Sequence, residues 1–182
     1  MGVSPWTECH HELIVPKAAP GREHYAEYED LKLWRWCCEF AGRVPDIYDR
    51  NWDSSRRYDV LHYLLSATRR GELPSETDVM IARAFDDTGE PIGDQVTGSQ
   101  GIPIRYLSPS EVHDIAQFLA DIDAESIRTH YDPVRMESAD VYKFHAFGAD
   151  EEWLRIVGYF NEFKALITNA AKRGDIVLVI WN

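Results

Sequence analysis

Residues 150–181 read DEEWLRIVGYFNEFKALITNAAKRGDIVLVIW, and this stretch decides the fold. Its first part carries a stripe of apolar residues at helical spacing, namely Trp153, Ile156, Val157, Phe160, Phe163, Ile167 and Ala170. Gly174 then supplies a residue that can adopt the left-handed conformation in which helices commonly end. The run from Ile176 to Trp181 contains no polar residue, as is typical of a strand covered on both faces. We therefore predict a long core-facing helix followed by a strand at the centre of a sheet.

The clearest helix start lies upstream, at Ser108–Glu111, where the sequence reads SPSE. The serine can cap the helix, the proline can occupy its first position, and the glutamate can bond back to the capping residue. This pattern predicts a helix that ends near Asp121 and is preceded by a short strand over residues 102–107. Asp123 is expected to cap a further short helix, which the pair Asp132-Pro133 interrupts.

The first half of the chain contains less regular patterns. The sequence ELIV at residues 12–15 predicts a first strand, and residues 23–41 form an aromatic-rich helical pattern. Further helices are predicted over residues 52–68 and 76–85. Residues 86–101 form an acidic, glycine-rich loop that lacks the sequence pattern of a phosphate-binding loop.

The composition indicates a globular protein. Of the 182 residues, 45% are hydrophobic and 27% are charged, and this length lies within the usual size of one domain. No apolar run is long enough to cross a bilayer, and the N-terminus lacks the basic-then-apolar form of a secretion signal. The three cysteines imply no disulfide framework, which fits a reducing compartment. We expect one soluble cytoplasmic domain without a membrane segment.

The net charge of −12, from 31 acidic and 19 basic residues, restricts the classes of partner. Binding to nucleic acid depends on Lys and Arg that displace counterions from phosphates, so an acidic excess opposes it. The same charge would attract a basic protein and accelerate its encounter. The alternative is that the charge only maintains solubility. We therefore expect no nucleic-acid partner and consider a basic protein as the partner.

Two groups of residues together resemble a known family. The first group, in the C-terminal half, comprises RYLSPSEV at residues 105–112, YDP at 131–133, DVY at 140–142 and the closing AAKRG at 170–174. The second is RYDVLHYLL at residues 57–65. Their order and spacing resemble the YfbM-like family, a group of small bacterial proteins classed as a domain of unknown function.

The resemblance implies a fold and no reaction. It implies an α+β fold in which several helices pack on a small mixed sheet. Together with the chain length and the apolar run at the C-terminus, it leads to the expectation that residues 1–182 form a single domain with a buried C-terminal strand. Residues 1–51 diverge from the family, and Tyr58 stands where the family commonly has tryptophan. Because a fold does not define an activity, candidate functional residues have to be found from their chemistry.

The helix predicted over residues 52–68 carries the first candidate site. Asp59 and His62 are three residues apart, so both side chains can lie on one helix face, with Tyr58 beside them. An aspartate that orients an imidazole can support general base catalysis, and Ser66 lies on the same face. The alternative is a partly buried histidine that forms hydrogen bonds within the fold.

Arg105 and Tyr106, which follow the glycine-rich loop, form the second candidate site. The arginine could bind a carboxylate or a phosphate, and the tyrosine offers a stacking face. The alternative for Arg105 is an ion pair with Asp94 or Glu111. Together the two candidate sites predict one ligand pocket, which the glycine-rich loop would close as a lid.

No metal site and no cofactor are expected. The pairs His10-His11, Glu23-His24 and His113-Asp114 have no partners at the spacings of metal-binding motifs. A metal site would have to be assembled from distant parts of the chain, and no pattern in the sequence indicates such an assembly.

Two functions remain open. The first is a non-catalytic protein-binding domain, and its most specific form is an acidic immunity-type antidote to a basic toxin. The expected partner surface is formed by Trp34, Trp36 and Phe40 on the aromatic helix. The second is a small-molecule-binding or hydrolytic protein with a pocket around His62 and Arg105. We favour the first function because the sequence contains no recognisable catalytic motif.

Overall fold

The computed structural model describes residues 11–14, 51–54, 57–86, 88–91, 97, 101–142, 144 and 149–181. Its strands are β1 (His11–Ile14), β2 (Asn51–Asp53), β3 (Glu90–Pro91), β4 (Arg105–Leu107) and β5 (Val177–Trp181). Its helices are α1 (Tyr58–Leu65), α2 (Glu76–Phe85), α3 (Pro109–Ala120), α4 (Ala124–Arg128), α5 (Pro133–Ser138) and α6 (Ala149–Arg173). The predicted α+β class is confirmed.

Strand β5 lies at the centre of a five-stranded sheet with the order β2-β1-β5-β4-β3. Every residue of β5 is buried, as the apolar sequence of this strand predicts. The resemblance leads to the expectation of a mixed sheet, whereas each described strand pair is antiparallel. The central position of the C-terminal strand is therefore confirmed, and the directions of its neighbours are a finding of the structure.

The register explains why β4 and β5 are antiparallel. Leu107, at the end of β4, pairs with Val177, at the start of β5. The chain therefore leaves the sheet and re-enters it at the same end. Helix α3 leads away from that end, and α6, which packs against α3, leads back to it. A parallel pair would require a crossover to the opposite end of the sheet.

Helix α6 connects the helices to the sheet, because it packs against α1, α3 and β2. Its 25 residues span roughly 37 Å at a rise of about 1.5 Å per residue. The buried positions of α6 follow the predicted apolar stripe and include Ile156, Phe160, Phe163, Ile167 and Ala170. Complete burial of one such large side chain contributes about 1.5–3 kcal/mol. This stripe is therefore a major part of the core.

Trp52 departs from the predicted helix over residues 52–68. It lies in β2 opposite Leu13, and α1 begins only at Tyr58. The indole N–H donates a hydrogen bond to the carbonyl of Tyr159 at 3.1 Å, and the Trp52 side chain is almost fully buried. Strand pairing and burial in the core outweigh the helical preference of this segment, because local propensities are weak compared with tertiary packing.

Side chains cap the starts of α3 and α5. As predicted, the Ser108 N–H donates to the Glu111 carboxylate at 2.7 Å, and the Ser108 hydroxyl accepts from the Glu111 N–H at 3.4 Å. The pair Asp132-Pro133 is predicted to interrupt a helix, but it begins α5. The Asp132 carboxylate accepts from the N–H groups of Val134 and Arg135, each at 3.1 Å. Aspartate is a preferred N-cap residue, and proline is favourable at the first position of a helix, so this pair starts a helix.

Helix α2 and strand β1 lie at or close to their predicted positions. Helix α2 has the predicted bounds, Glu76–Phe85, and β1 begins one residue before the predicted first strand. The helix predicted over residues 23–41 lies outside the described residues. In the part of the chain that the structure describes, no helix combines the length and the apolar character that are needed to cross a lipid bilayer.

Gly174 ends α6 with a φ of +68°, and an added β-carbon would meet no other atom within 4 Å. We expect Gly174→Ala to lower the free energy of unfolding by about 1–2 kcal/mol, because the left-handed conformation is strained for residues that have a β-carbon. Urea denaturation of the wild type and the variant measures this difference.

Gly158, in the interior of α6, is the matched control, since a β-carbon there also meets no atom within 4 Å. Gly158→Ala should raise the free energy of unfolding by about 0.5–1 kcal/mol, because alanine is the better helix former. The two substitutions should therefore have opposite signs. If both stabilise the protein, the conformation of Gly174 does not limit stability and our explanation of the helix end is wrong.

Candidate functional site

The outward face of α2 separates two concavities. One is a groove between α2 and α3 with a volume of about 540 Å³. The other is a cavity between α1 and α2 with a volume of about 310 Å³. Val79 lines both concavities and is 61% exposed, although valine is usually buried. We call this outward surface of the helix, formed by Glu76, Val79, Met80 and Arg83, the α2 face.

Asp78 fixes the position of α2 relative to α1. One oxygen of the carboxylate accepts hydrogen bonds from the Ser66 hydroxyl at 2.6 Å and from the Thr68 N–H at 3.1 Å. The other oxygen accepts from the N–H of Ser75 at 2.6 Å and from the Ser75 hydroxyl. Burial alone would raise the pKa of Asp78, but these hydrogen bonds together lower that pKa well below its usual value. A single carboxylate thus joins the end of α1 to the start of α2.

Two arginines near the α2 face are paired with carboxylates. Arg70 forms an ion pair with Glu72 at 3.0 Å and also donates to carbonyl groups at the end of α1. Arg83 forms an ion pair with Glu111 across the groove between α2 and α3. Glu111 is therefore the partner of Arg83 and not of Arg105. Both arginine charges are compensated locally.

The groove between α2 and α3 combines an apolar floor with an acidic rim. Met80 and Phe118 line it and pack against the hydrophobic core. Glu76 and Asp114 lie at its rim, and no described residue forms an ion pair with either carboxylate. The rim therefore carries negative charge that the described part of the protein does not neutralise.

Asp59 and His62, the predicted catalytic pair, share no hydrogen bond in the described part of the chain. Arg69 donates to Asp59 through Nε at 2.9 Å and through Nη2 at 2.7 Å, and this hydrogen bonding raises the pKa of Arg69. The N–H of Tyr142 donates to the same carboxylate at 2.8 Å. Asp59 thus holds α1 to the segment that follows α5. It does not orient the imidazole.

His62 lines the cavity between α1 and α2 together with Asp86. Its ring stacks on Phe85, with ring centroids 5.8 Å apart and an angle of 16° between the ring planes. Burial lowers the pKa of His62, and the negative charge of Asp86, which acts in the opposite direction, does not overcome this effect. The imidazole is therefore neutral at pH 7. The Ser66 hydroxyl donates to Asp78, so it is not positioned as a nucleophile for this base.

Arg105 and Tyr106 do not line the cavity beside His62, so the structure does not form the single pocket expected from the sequence. Arg105 donates a hydrogen bond from Nη1 to the carbonyl of Gly89. The hydroxyl of Tyr106 donates to the carboxylate of Glu90 at 3.2 Å. Both side chains therefore tie β4 to the neighbouring chain at the start of β3.

Tyr58 packs at the end of the central strand and does not line the cavity between α1 and α2. Its ring stacks on Tyr142 at a centroid distance of 5.6 Å and meets the edge of Trp181 at 4.7 Å. These two ring contacts pack α1 against Tyr142 and the end of β5, so Tyr58 contributes to the fold and not to the cavity.

Two further predictions concern residues outside the described ranges. The predicted partner surface consists of Trp34, Trp36 and Phe40, and Asp94 is one expected ion-pair partner of Arg105.

The α2 face was not found from the sequence, although a signal for it exists. The buried stripe of α2 includes Ile81, Ala84 and Phe85. Val79 and Met80 lie beside this stripe, and apolar residues outside the core stripe of an amphipathic helix indicate a contact surface.

Within the described ranges, no group of three or more His, Cys, Asp or Glu side chains could hold a metal ion.

The fold and the site define a single α+β domain with two concavities on one helix and no assembled catalytic group among its described residues. A model of the family described as a domain of unknown function (DUF1877) matches residues 39–180, so the chain belongs to this family. The crystal structure of YfbM from Escherichia coli, a protein of unknown function, is similar, with a TM-score of 0.58 and 14% identity over 96% of this chain and 99% of that chain. This likeness supports the fold alone. No curated protein matches the chain.

We expect Asp78→Asn to lower the free energy of unfolding at neutral pH by about 1–3 kcal/mol, because an amide nitrogen cannot accept the hydrogen bonds that one oxygen receives. The stabilisation by Asp78 is present above the unfolded-state pKa of about 3.9 and is lost as the pH falls towards the lower pKa of the folded state. The difference between the wild type and the variant should therefore shrink below about pH 4.

Urea denaturation at several pH values measures this difference. The control is Asp123→Asn at the N-cap of α4, which should change stability little because asparagine and aspartate cap helices about equally well. A difference for Asp78→Asn that stays constant from neutral to strongly acidic pH would contradict the proposed role of the ionised carboxylate.

The ring of His62 should titrate with a pKa below its usual value of 6.5. Because the unfolded chain then binds more protons than the folded protein, stability should fall as the pH drops below about 7. His62→Gln removes this contribution, so the wild type should lose more stability than the variant between about pH 7 and pH 5. An NMR titration of the ring gives the pKa directly, and a value of 6.5 or higher would refute the prediction.

Proposed function

We propose that this protein is a non-catalytic binding domain that recognises a basic protein through the groove between α2 and α3. The single observation that carries the proposal is the combination of an apolar floor, Met80 and Phe118, with the acidic rim residues Glu76 and Asp114. A basic segment with one or two apolar side chains is complementary to the apolar floor and to the negative charge of this groove.

The exposed apolar side chain of Val79 supports the proposal. Val79 is 61% exposed on the α2 face and lines the groove. Single exposed apolar residues are common on protein surfaces, but this one belongs to a groove that itself has apolar walls. A partner that covers Val79 would gain about 25 cal/mol for each Å² of apolar surface removed from water.

The charges of the molecule act in the same direction. The net charge of −12 attracts a basic protein over several ångströms and accelerates its encounter. Arg83, which lines the groove and could weaken this attraction, is paired with Glu111. An immunity-type antidote that binds a basic toxin in the cytoplasm is the most specific form of the proposal.

A hydrolytic function has less support. The carboxylate of Asp59 accepts hydrogen bonds from Arg69 and from the N–H of Tyr142, and the hydroxyl of Ser66 donates a hydrogen bond to Asp78. Neither residue is free to act with an imidazole as a catalytic pair.

A selection of short random peptides on the immobilised full chain tests the proposal. At low salt, the enriched peptides should be rich in lysine or arginine with interspersed apolar residues, and physiological salt should weaken their binding. The double substitution Glu76→Lys and Asp114→Lys should raise the Kd of these peptides at least about tenfold, which corresponds to ~1.4 kcal/mol. Isothermal titration calorimetry measures the Kd.

The double substitution Glu137→Lys and Glu162→Lys is the matched control. It changes the net charge by the same amount at exposed positions on α5 and α6, which do not line the groove. It should affect peptide binding much less than the substitutions at the rim. Enrichment of peptides without basic residues, or equal affinity of the rim variant and the wild type, would show that the groove does not bind a basic partner.

A further inference from the structure

The cavity between α1 and α2 lies on the other side of the α2 face from the groove. Its volume of about 310 Å³ is close to the lower end of the range for small-molecule sites. Pro74, Val79 and Ala82 form an apolar part of its wall. The cavity can therefore accommodate a short aliphatic chain.

Unused hydrogen-bond acceptors lie beside this apolar wall. Oδ1 of Asp86 accepts from the N–H of Thr88 at 2.8 Å and from its hydroxyl at 2.6 Å, whereas no described residue donates to Oδ2. Within the described ranges, no hydrogen bond uses the ring nitrogens of His62 or the hydroxyl of Thr68, which also line the cavity. A neutral imidazole has one acceptor nitrogen, and a hydroxyl can also accept. A ligand with several N–H donors would satisfy these groups.

The charges around the cavity favour a cation. Arg69 lines the cavity, but its guanidinium group is paired in two hydrogen bonds with Asp59. Both oxygens of Asp78 already accept hydrogen bonds from the protein. The imidazole of His62 is neutral because burial lowers its pKa. The carboxylate of Asp86 is therefore the group that can bind a positive charge.

We propose that this cavity binds the cationic nitrogen of an aliphatic primary amine or guanidine. The nitrogen donates hydrogen bonds to Asp86 and to the acceptor nitrogen of His62, and the aliphatic chain lies along Pro74 and Val79. An ammonium group supplies three donors and a guanidinium group supplies five, so either can satisfy these acceptors. The ligand is a free amine or a basic side chain of a protein, since both have this chemistry. The proposal does not rest on binding in the groove between α2 and α3.

An NMR titration of the full chain with butylammonium and butylguanidinium tests the proposal. The ring signals of His62, assigned by comparison with His62→Gln, should shift in a saturable way with a Kd on the order of 1 mM. Butan-1-ol has the same alkyl chain without the charge and should bind at least about tenfold more weakly. Equal shifts by butan-1-ol and the two cations would overturn the proposal, because the cavity would then bind only the alkyl chain.

Asp86→Asn provides the second test, because asparagine keeps an acceptor for Thr88 but removes the negative charge. The Kd of both cations should rise at least about tenfold in this variant. Glu137→Gln removes the same charge from an exposed position on α5 that lines neither the cavity nor the groove, and it should leave the Kd unchanged. Thermal unfolding shows whether both variants fold. If folded Asp86→Asn binds the cations as tightly as the wild type, the proposed site is wrong.

Basic peptides that bind the protein distinguish the two sources of the ligand. If such peptides shift the ring signals of His62 and butylammonium displaces them, the ligand is a basic side chain of a partner. If butylammonium shifts these signals and the peptides do not, the ligand is a free amine. Both results retain the cation site, whereas the absence of any saturable shift with either cation excludes it.

Discussion

Strand β5 has to be covered on both faces, because none of its residues carries a charged or hydroxyl side chain and all of them are buried. It pairs with β1 on one edge and with β4 on the other. Helix α6, which leads into β5 through Gly174, packs against α1, α3 and β2. Since α2 packs against α1 and α3, the unit formed by α6 and β5 indirectly positions the helix that carries both concavities.

The attachment of α2 depends on polar contacts as well as on its buried stripe. The carboxylate of Asp78 binds the end of α1 and the turn before α2, so the helix is fixed at its start. Its outward face can therefore remain uncovered without loss of the fold. Each Å² of apolar surface that stays exposed lacks the stabilisation of about 25 cal/mol that burial would contribute. The exposure of Val79 is understandable if a partner covers this surface, and this reasoning connects the packing of α2 with a binding function.

The groove and the cavity follow the same electrostatic principle. In the groove, Arg83 is paired with Glu111, while Asp114 at the rim has no ion-pair partner among the described residues. In the cavity, Arg69 is paired with Asp59, while one oxygen of Asp86 accepts no hydrogen bond from a described residue. Burial keeps His62 neutral, so it does not add a positive charge that would oppose a cation. The net charge of −12 attracts basic molecules from a distance, and the local carboxylates would then determine where such a molecule binds.

The sequence by itself determined the unit of α6 and β5, the bounds of α2 and the capping of α3, because these features follow from apolar periodicity and from capping residues a few positions apart. The family was inferred from a resemblance in the order and spacing of short motifs, and the family model confirms it. Only the tertiary structure decided that Trp52 lies in a strand and that Asp59 binds Arg69 and the N–H of Tyr142. It also decided which acceptors remain unused beside the cavity. The physical reason is that strand pairing, buried hydrogen bonds and cavities join residues far apart in the chain, so no local pattern encodes them.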